Sequence, residues 1–503
     1  MNYSVLENIF TYNSGTEHSA INRTKLFNEN GIEAKILTRN YNRFLAHDMQ
    51  LAGVDHHSVI NMYDYFQGTT DVARNELPLR LAKQFPLDEY HIVAENANYS
   101  WLKRAGQNIG KIEVLPGTVG LISSVTYYDR FNNPTVRENF DWRGFKSSID
   151  YFHMNGELGT QVFLNLKGDP VLEITHMNIN GKLSPTMWKL LNYKGKNYRF
   201  NFEDQLFLFF INEVVANDPE AVVVSERRNL DYVVADVKAP QRVAFFHDSH
   251  LLNPTDGPKS KIKPIYQQVL VNQTAKFSGA FVLTEQQKQE LNQQYPNLNV
   301  SVAPDIYVSD DDLKLGQTAE RQPVILVSGR LAPDRRPFDV LKIFQQVHMA
   351  VPAAELHFAG YPASPTYLDQ LKDKVKNDHL EDSVKFLGYL NRKKLNDEYA
   401  TASVLLNTSL NEGLGMHMVE ARGFGLPVVS YDVLYGPKVL IEDGVNGNLV
   451  PDGRTHAAAK AITTLLTDSD KWSQMHRSAL KKAQADRADN VIAHFEDGVA
   501  ASR

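Results

Sequence analysis

The run Asn411-Glu412-Gly413-Leu414-Gly415-Met416-His417-Met418-Val419-Glu420-Ala421-Arg422-Gly423-Phe424-Gly425-Leu426-Pro427-Val428-Val429 constrains the fold of this chain more than any other. A glycine-rich loop leads into a helix starting near Met416, and Gly-Leu-Pro ends that helix ahead of an apolar strand. Loop, helix and strand in this order are one repeat of a parallel α/β sheet. Gly413 and Gly415 let backbone N–H groups come close to an anion, and the helix start adds the positive end of its dipole, so a diphosphate fits there. Glu412 lies in the loop and Glu420 about one turn into the helix, with seven residues between them. Each carboxylate offers several acceptor sites, which suits a ligand rich in hydroxyl groups such as a ribose or a hexose. Two glutamates alone would read as a capped surface helix with a stray acid; the glycines and the helix start around them favour a ligand site.

At 503 residues the chain is too long for one core and suggests about three domains of roughly 150 residues each. An apolar share of 43% is that of an ordinary globular protein, and the complete lack of cysteine excludes disulfides, thiolate metal sites and a thiol nucleophile. Met1 to Glu7 has neither the basic start nor the apolar run of a signal peptide, and no stretch approaches ~18 uninterrupted apolar residues. A cytoplasmic location is expected, with at most peripheral contact at the inner face of the membrane. A formal net charge of -6 argues against nucleic-acid binding. Lys259, Lys261 and Lys263, beside Pro258 and Pro264, form a local basic cluster that suits either a solvated loop or a membrane or partner contact.

A second strand–glycine–helix unit opens the chain. Tyr3 to Ile9 reads as a strand, Tyr12-Asn13-Ser14-Gly15-Thr16-Glu17-His18 as a loop and helix start, and Glu33 to Thr38 as the next strand, so the loop opens onto a cleft. From about Lys111 to Phe202, short Val-, Ile-, Tyr- and Phe-rich runs alternate with Asn155-Gly156, Lys167-Gly168, Asn180-Gly181 and Lys194-Gly195, the spacing of successive antiparallel hairpins. This β-meander interrupts the α/β pattern, which resumes with a helix from Leu206 to Val215 and strands Ala221 to Ser225 and Arg242 to Phe246. The last ends in His247-Asp248-Ser249-His250, placing one of two histidines in the crevice at a strand's C-terminal end. A hinge falls near Val302 to Asp305. Ser309-Asp310-Asp311-Asp312 reads as a helix cap rather than as a cation site. A second domain begins with the strand Pro323 to Ser328, which delivers Arg330 and, five residues on, Arg335.

The glutamate run, together with Ser328-Gly329-Arg330-Leu331, Phe358-Ala359-Gly360, Val384-Lys385-Phe386-Leu387-Gly388-Tyr389, Tyr435-Gly436-Pro437 and Glu442-Asp443-Gly444-Val445-Asn446-Gly447, resembles the large retaining glycosyltransferase family 4. The resemblance implies a GT-B fold of two Rossmann-like domains across a cleft: residues 1–65 and 205–305 form the first, 306–482 the second, 66–204 the insertion, and 483–503 a helix crossing back. It implies a UDP-sugar donor and no metal or other cofactor. Glu420 would take the ribose, Glu412 the transferred sugar, and Gly15 and Thr16 the diphosphate, unless these two serve only as turn and cap. Arg330, Arg335 and the amides of Leu414, Gly415 and Met416 would stabilise the departing nucleotide, Arg335 standing where the family has lysine. His247 or His250 would face the sugar, and Tyr389 would flank the base or pack in the core. The meander, with Phe140-Asp141-Trp142-Arg143-Gly144-Phe145, resembles that of a Gram-positive subset acting on serine-rich adhesins, Ser-Asp repeat proteins or wall teichoic acid. The resemblance thus implies three alternatives: transfer of GlcNAc or glucose to Ser/Thr of a serine-rich adhesin, transfer to teichoic acid, or a non-catalytic subunit of such a complex. Partnership with a glycosyltransferase-like subunit, or self-assembly through the meander, is compatible with each.

Overall fold

The computed structural model describes residues 1–80 and 85–502. Two parallel sheets face each other across a cleft, as the GT-B resemblance implies. The first has seven strands in the order Val300–Val302, Gly279–Val282, Gln241–Phe245, Val222–Ser225, Asn2–Leu6, Ala34–Thr38, Val59–Asn61. The second has six, in the order Val384–Gly388, Glu355–Ala359, Val324–Ser328, Val404–Asn407, Val428–Tyr431, Gly447–Val450. Their strands are continuous apolar runs with helices on both faces, the pattern that a fully covered parallel sheet demands.

Between Asn61 and Glu203 the chain builds a ten-stranded antiparallel sheet whose strands neighbour one another in chain order, from His91–Ala94 to Lys196–Phe200. The four expected turns at Gly156, Gly168, Gly181 and Gly195 all join neighbouring strands. The sheet begins at His91 and not at the expected Lys111. Strands Tyr99–Arg104 and Gln107–Val114 are joined by Ala105-Gly106, whose φ angles of 49° and 83° make a tight turn without the Asn or Lys that marked the others.

The expected cap at Ser309 is present: its hydroxyl accepts from the Asp312 N–H at 3.1 Å and starts the helix Asp310–Thr318. At the other end of the chain a short 3-10 turn (Ala483–Asp486) precedes the helix Ala488–Ala501, which returns to the first domain; Arg503 lies outside the described residues. Phe495 enters edge-on between Phe27 and Phe281, with ring centroids 4.9 Å from each, and is 2% exposed. Arg422 pairs with Asp486, fastening the second domain to the start of this crossing. Phe495→Ala removes a fully packed ring and is expected to cost about 3–5 kcal/mol. Urea unfolding followed by tryptophan fluorescence checks this, and a midpoint equal to that of the parent protein would contradict it.

Candidate active site

The C-terminal ends of both parallel sheets open onto one cleft, the place where open α/β sheets bind ligands. From the first sheet, Ser14 leads into the helix Gly15–Glu29. Glu17 anchors this turn, accepting from the Ser14 backbone N–H at 2.9 Å and from its hydroxyl at 2.7 Å. From the second sheet, Gly415, at φ 90°, stands before the helix Met416–Gly423. The two helix starts meet, since a Cβ on Gly15 would lie 3.7 Å from Met416 Sδ. Thr16 follows in the first turn, half-buried, and Leu414 is buried beneath the loop. Glycine is obligatory at 413, where a Cβ would come within 2.4 Å of the His247 carbonyl oxygen of the other domain.

Positive side chains line the second domain's wall. Arg330 follows the strand Val324–Ser328, lies 3.1 Å from the Asp334 carboxylate, and keeps 46% of its side chain exposed. Arg335 donates through Nη1 to Ser409 Oγ at 3.0 Å and pairs through the same nitrogen with Glu412. Glu412 is only 5% exposed and its backbone is fixed at both ends. Its N–H donates to Leu434 O at 2.7 Å, and its carbonyl accepts from Tyr435 N–H at 2.6 Å. His417 Nε2 lies 3.9 Å from the same carboxylate, but burial, reinforced by Arg335, pushes its pKa down to about 3, so it stays neutral.

The two histidines separate cleanly. His250 is fully buried, its ring stacked 6.5 Å from Tyr435, and burial pushes its pKa down to about 4. His247 borders the cleft beneath Gly413. Its Nε2 is 2.8 Å from Glu226 Oε2, and its Nδ1 is 3.5 Å from Asp305 Oδ2, an ion-pair distance without hydrogen-bond alignment. Burial alone would lower the His247 pKa, but Asp305 and Glu226 outweigh it and the net shift is upward. Glu226 is in turn held ionised by Arg23, which overcomes the upward push of burial and also donates to Ser4 Oγ at 2.9 Å.

Around Glu420 the structure gathers Arg392 and Tyr399, to which no role was expected from the sequence. Arg392 pairs with its Oε1, and the Tyr399 hydroxyl donates to its Oε2 at 2.8 Å. Tyr389 reaches across the cleft, its hydroxyl 2.9 Å from His18 Nε2 and its ring 5.1 Å from Tyr12. Tyr12 also stacks 6.0 Å from Tyr361, so Tyr389 belongs to an aromatic group spanning both domains rather than to either core. One signal for Arg392 was legible: Arg392-Lys393-Lys394 put three cations in the first turn of the helix Arg392–Thr401, the wrong end for its dipole. Among the described residues, the histidine and carboxylate ligand atoms close enough together for a metal ion belong to Asp55, His56 and His57, all exposed, just ahead of the strand Val59–Asn61 and so at the end of the sheet away from the cleft.

Residues 309–483 match the family model "Glycosyl transferases group 1". The chain is 23% identical over 452 residues to the poly(glycerol-phosphate) alpha-glucosyltransferase of Bacillus subtilis (strain 168), covering 87% of this chain and 64% of that protein. It is 24% identical over 281 residues to the GtfA subunit of the UDP-N-acetylglucosamine–peptide N-acetylglucosaminyltransferase of Streptococcus pneumoniae serotype 4, covering 54% of this chain and 55% of that one. The chain therefore spans less than two thirds of the length of each of these two relatives. The crystal structure of the pneumococcal O-GlcNAc transferase GtfA with UDP and GlcNAc superposes with a TM-score of 0.82 at 18% identity, over 100% of this chain and 98% of that one. The fold is GT-B.

A histidine whose folded pKa lies above its ordinary value stabilises the fold fully below about pH 6.5 and loses that contribution as pH rises through the raised value. His247→Gln is therefore expected to lower the thermal midpoint markedly at pH 6 and much less at pH 9. A penalty that is equal at both pH values, or larger at pH 9, would contradict the charged His247.

Proposed function

We propose that this chain, a glycosyltransferase whose C-terminal domain belongs to group 1, moves GlcNAc or glucose from a UDP-sugar, with retention, to Ser/Thr hydroxyls of a serine-rich surface protein. The observation that carries the donor reading is the convergence of two helix starts, Arg330 and Arg335 on one cleft wall beside Glu412. Departure of the nucleotide is the step that needs help, and fixed positive charge aimed at the β-phosphate lowers its barrier without reorganisation. Arg335 exchanges its Glu412 partner for phosphate oxygens, which a guanidinium binds bidentately. Glu412, so released, takes sugar hydroxyls, and His247, set in its buried charge network, faces the transferred sugar. Glu412 positions the donor; the acceptor attacks from the face the nucleotide leaves, and its proton passes to the departing phosphate. No metal is needed, because arginines and helix ends supply the positive charge.

The acceptor side of the cleft favours a polypeptide over a polyphosphate. Glu7, just after the first strand, together with Glu203 and Asp204 at the start of the helix Glu203–Val215, surrounds the single Arg39 at 2.9, 3.8 and 2.5 Å. Three carboxylates around one guanidinium leave a net negative rim at the ends of the strands, which repels a polyanion. Transfer to teichoic acid is the second reading, supported by the likeness to the Bacillus enzyme. A non-catalytic subunit ranks third, because Glu412, Glu420, Arg330 and the helix starts are all in place. No helix among the described residues is long and apolar enough to cross a membrane. Work in the cytoplasm, with a glycosyltransferase-like partner or a second copy bound through the meander, fits this reading.

The purified chain is to be incubated with UDP-GlcNAc or UDP-glucose and either a serine-rich peptide or teichoic acid, and the acceptor weighed by mass spectrometry. A gain of one N-acetylhexosamine or hexose on the peptide is expected, and Glu412→Gln or Arg330→Ala should slow it by about 10²-fold or more. Transfer to teichoic acid alone would overturn the acceptor assignment. Near-parental turnover in both variants would overturn the donor-site assignment.

A further inference from the structure

The carboxylate assigned to the donor's ribose is not free to choose its own orientation. Glu420 is gripped from two sides, by the Arg392 guanidinium at Oε1 and the Tyr399 hydroxyl at Oε2. Tyr399 is a fixed post: its ring is 1% exposed and stacks 5.6 Å from Phe424. Arg392 is the opposite, with 49% of its side chain exposed toward solvent. It is tethered on its far side, where Nη2 lies 3.5 Å from Asp312 Oδ2 and Asp312 Oδ1 accepts from Asn396 Nδ2 at 2.9 Å. The arrangement lies on the cleft. His18, in the first domain, is near enough that the charges of Glu420 and Arg392 act on its titration in opposite senses, though burial is the larger influence and lowers its pKa. An arginine in the first turn of a helix is disfavoured by the dipole, so its presence at 392 calls for a compensating partner, which Glu420 and Asp312 supply.

Each oxygen of an ionised carboxylate accepts more than one hydrogen bond. With one site on each oxygen taken by Arg392 and Tyr399, the remaining lone pairs are fixed in direction and suit two neighbouring hydroxyl donors. We propose that Arg392 is a positioning residue that, with Tyr399, aims Glu420 at the 2′,3′-diol of the donor's ribose and so sets selectivity for ribo- over deoxyribonucleotides. This rests on the donor reading above. An exposed ion pair that served stability alone would be worth little and would not discriminate between sugars of the nucleotide.

The test is calorimetric binding of UDP and of 2′-deoxy-UDP to the full chain and to Arg392→Ala, Arg392→Lys and Tyr399→Phe. The parent is expected to bind UDP at least about tenfold tighter than 2′-deoxy-UDP, since the deoxy analogue leaves a charged acceptor short of one donor. Arg392→Ala should weaken UDP by about tenfold while barely changing 2′-deoxy-UDP, bringing the ratio toward one, and in turnover should raise KM with kcat nearly unchanged. Arg392→Lys should restore part of the ratio. Tyr399→Phe, which removes one hydroxyl and no charge, should narrow it as well. In a Glu420→Ala background, Arg392→Ala should add nothing, as two residues acting through one carboxylate require. A ratio in Arg392→Ala equal to that of the parent would overturn the inference while leaving the donor reading intact. Failure of the parent to bind UDP at all would overturn the donor reading and this inference with it.

Discussion

The helices Gly15–Glu29 and Met416–Gly423 point their first turns at one another across the cleft, close enough that a Cβ on Gly15 would sit 3.7 Å from Met416 Sδ. Two positive dipole ends at such a distance repel unless negative charge lies beside them. The protein supplies that charge as three glutamates, each tied to its own arginine: Glu17 with Arg227, Glu412 with Arg335, and Glu420 with Arg392. Each pair has one buried or nearly buried carboxylate and one more exposed guanidinium. Under the donor reading proposed above, Arg335 can therefore change partner to a diphosphate without dragging a buried carboxylate into the open, while Arg392 keeps its hold on Glu420. The side chain at 335 suits this exchange, because its nitrogen already serves both Ser409 and Glu412, and a guanidinium keeps further N–H groups for a new acceptor.

Beneath that surface, Arg23, Glu226, His247 and Asp305 form an alternating chain of charges inside the first domain. Breaking one member of a buried pair leaves its partner uncompensated, a cost of about 3–5 kcal/mol, so such a chain fixes geometry more firmly than it adds net stability. Its end member, Asp305, lies in the segment leading from the last strand of the first sheet to the second domain. The histidine under Gly413 is thereby tied to the connection between the domains.

Much of this was legible in the sequence, and what was not had physical reasons. The strands that open the two parallel sheets, the meander turns at Gly156, Gly168, Gly181 and Gly195 and the Ser309 cap follow from glycine placement, apolar runs and cap residues, all of which are local, whereas the paired sheets across a cleft and the crossing of the last helix were implied by the family resemblance. Glu412 and Glu420 were visible because a glycine-rich loop ahead of a helix is itself a local signal, whereas Arg330 and Arg335 were singled out by the family resemblance. His247 and His250 could not be told apart, since the choice depends on Gln287 and Tyr435 packing over one and on Glu226 and Asp305 reaching the other, partners up to 185 residues away by 435 − 250. Tyr12 and Tyr361 escaped assignment because their stacking forms only when the two domains meet, and Arg392 because its partners Glu420 and Asp312 are 28 and 80 residues away within the second domain. The start of the meander was missed because Ala105-Gly106 makes the required positive φ angles with a residue type that seldom adopts them.

The inserted sheet is continuous with the domain it leaves. Phe163, Leu172, Ile174, Trp188 and Leu190 of its later strands share one core with Tyr3, Val5 and Leu37 of the first parallel sheet and with Met62, which opens the helix Met62–Gln67. Its root is pinned by Arg143, which is 5% exposed, donating to Asp64 and Asp141 and to the Thr69 carbonyl at 2.7 Å. Gln67 adds hydrogen bonds to the carbonyls of Ser147 at 2.9 Å and Leu164 at 2.7 Å. The strand Lys196–Phe200 then runs into the helix that begins with Glu203 and Asp204, and Tyr63 donates to Glu203 at 2.5 Å. The negative rim around Arg39 is thus built jointly by the parallel sheet and by the exit from the insertion. The insertion therefore holds that rim rigidly, since interiors packed and hydrogen-bonded in this way do not deform continuously.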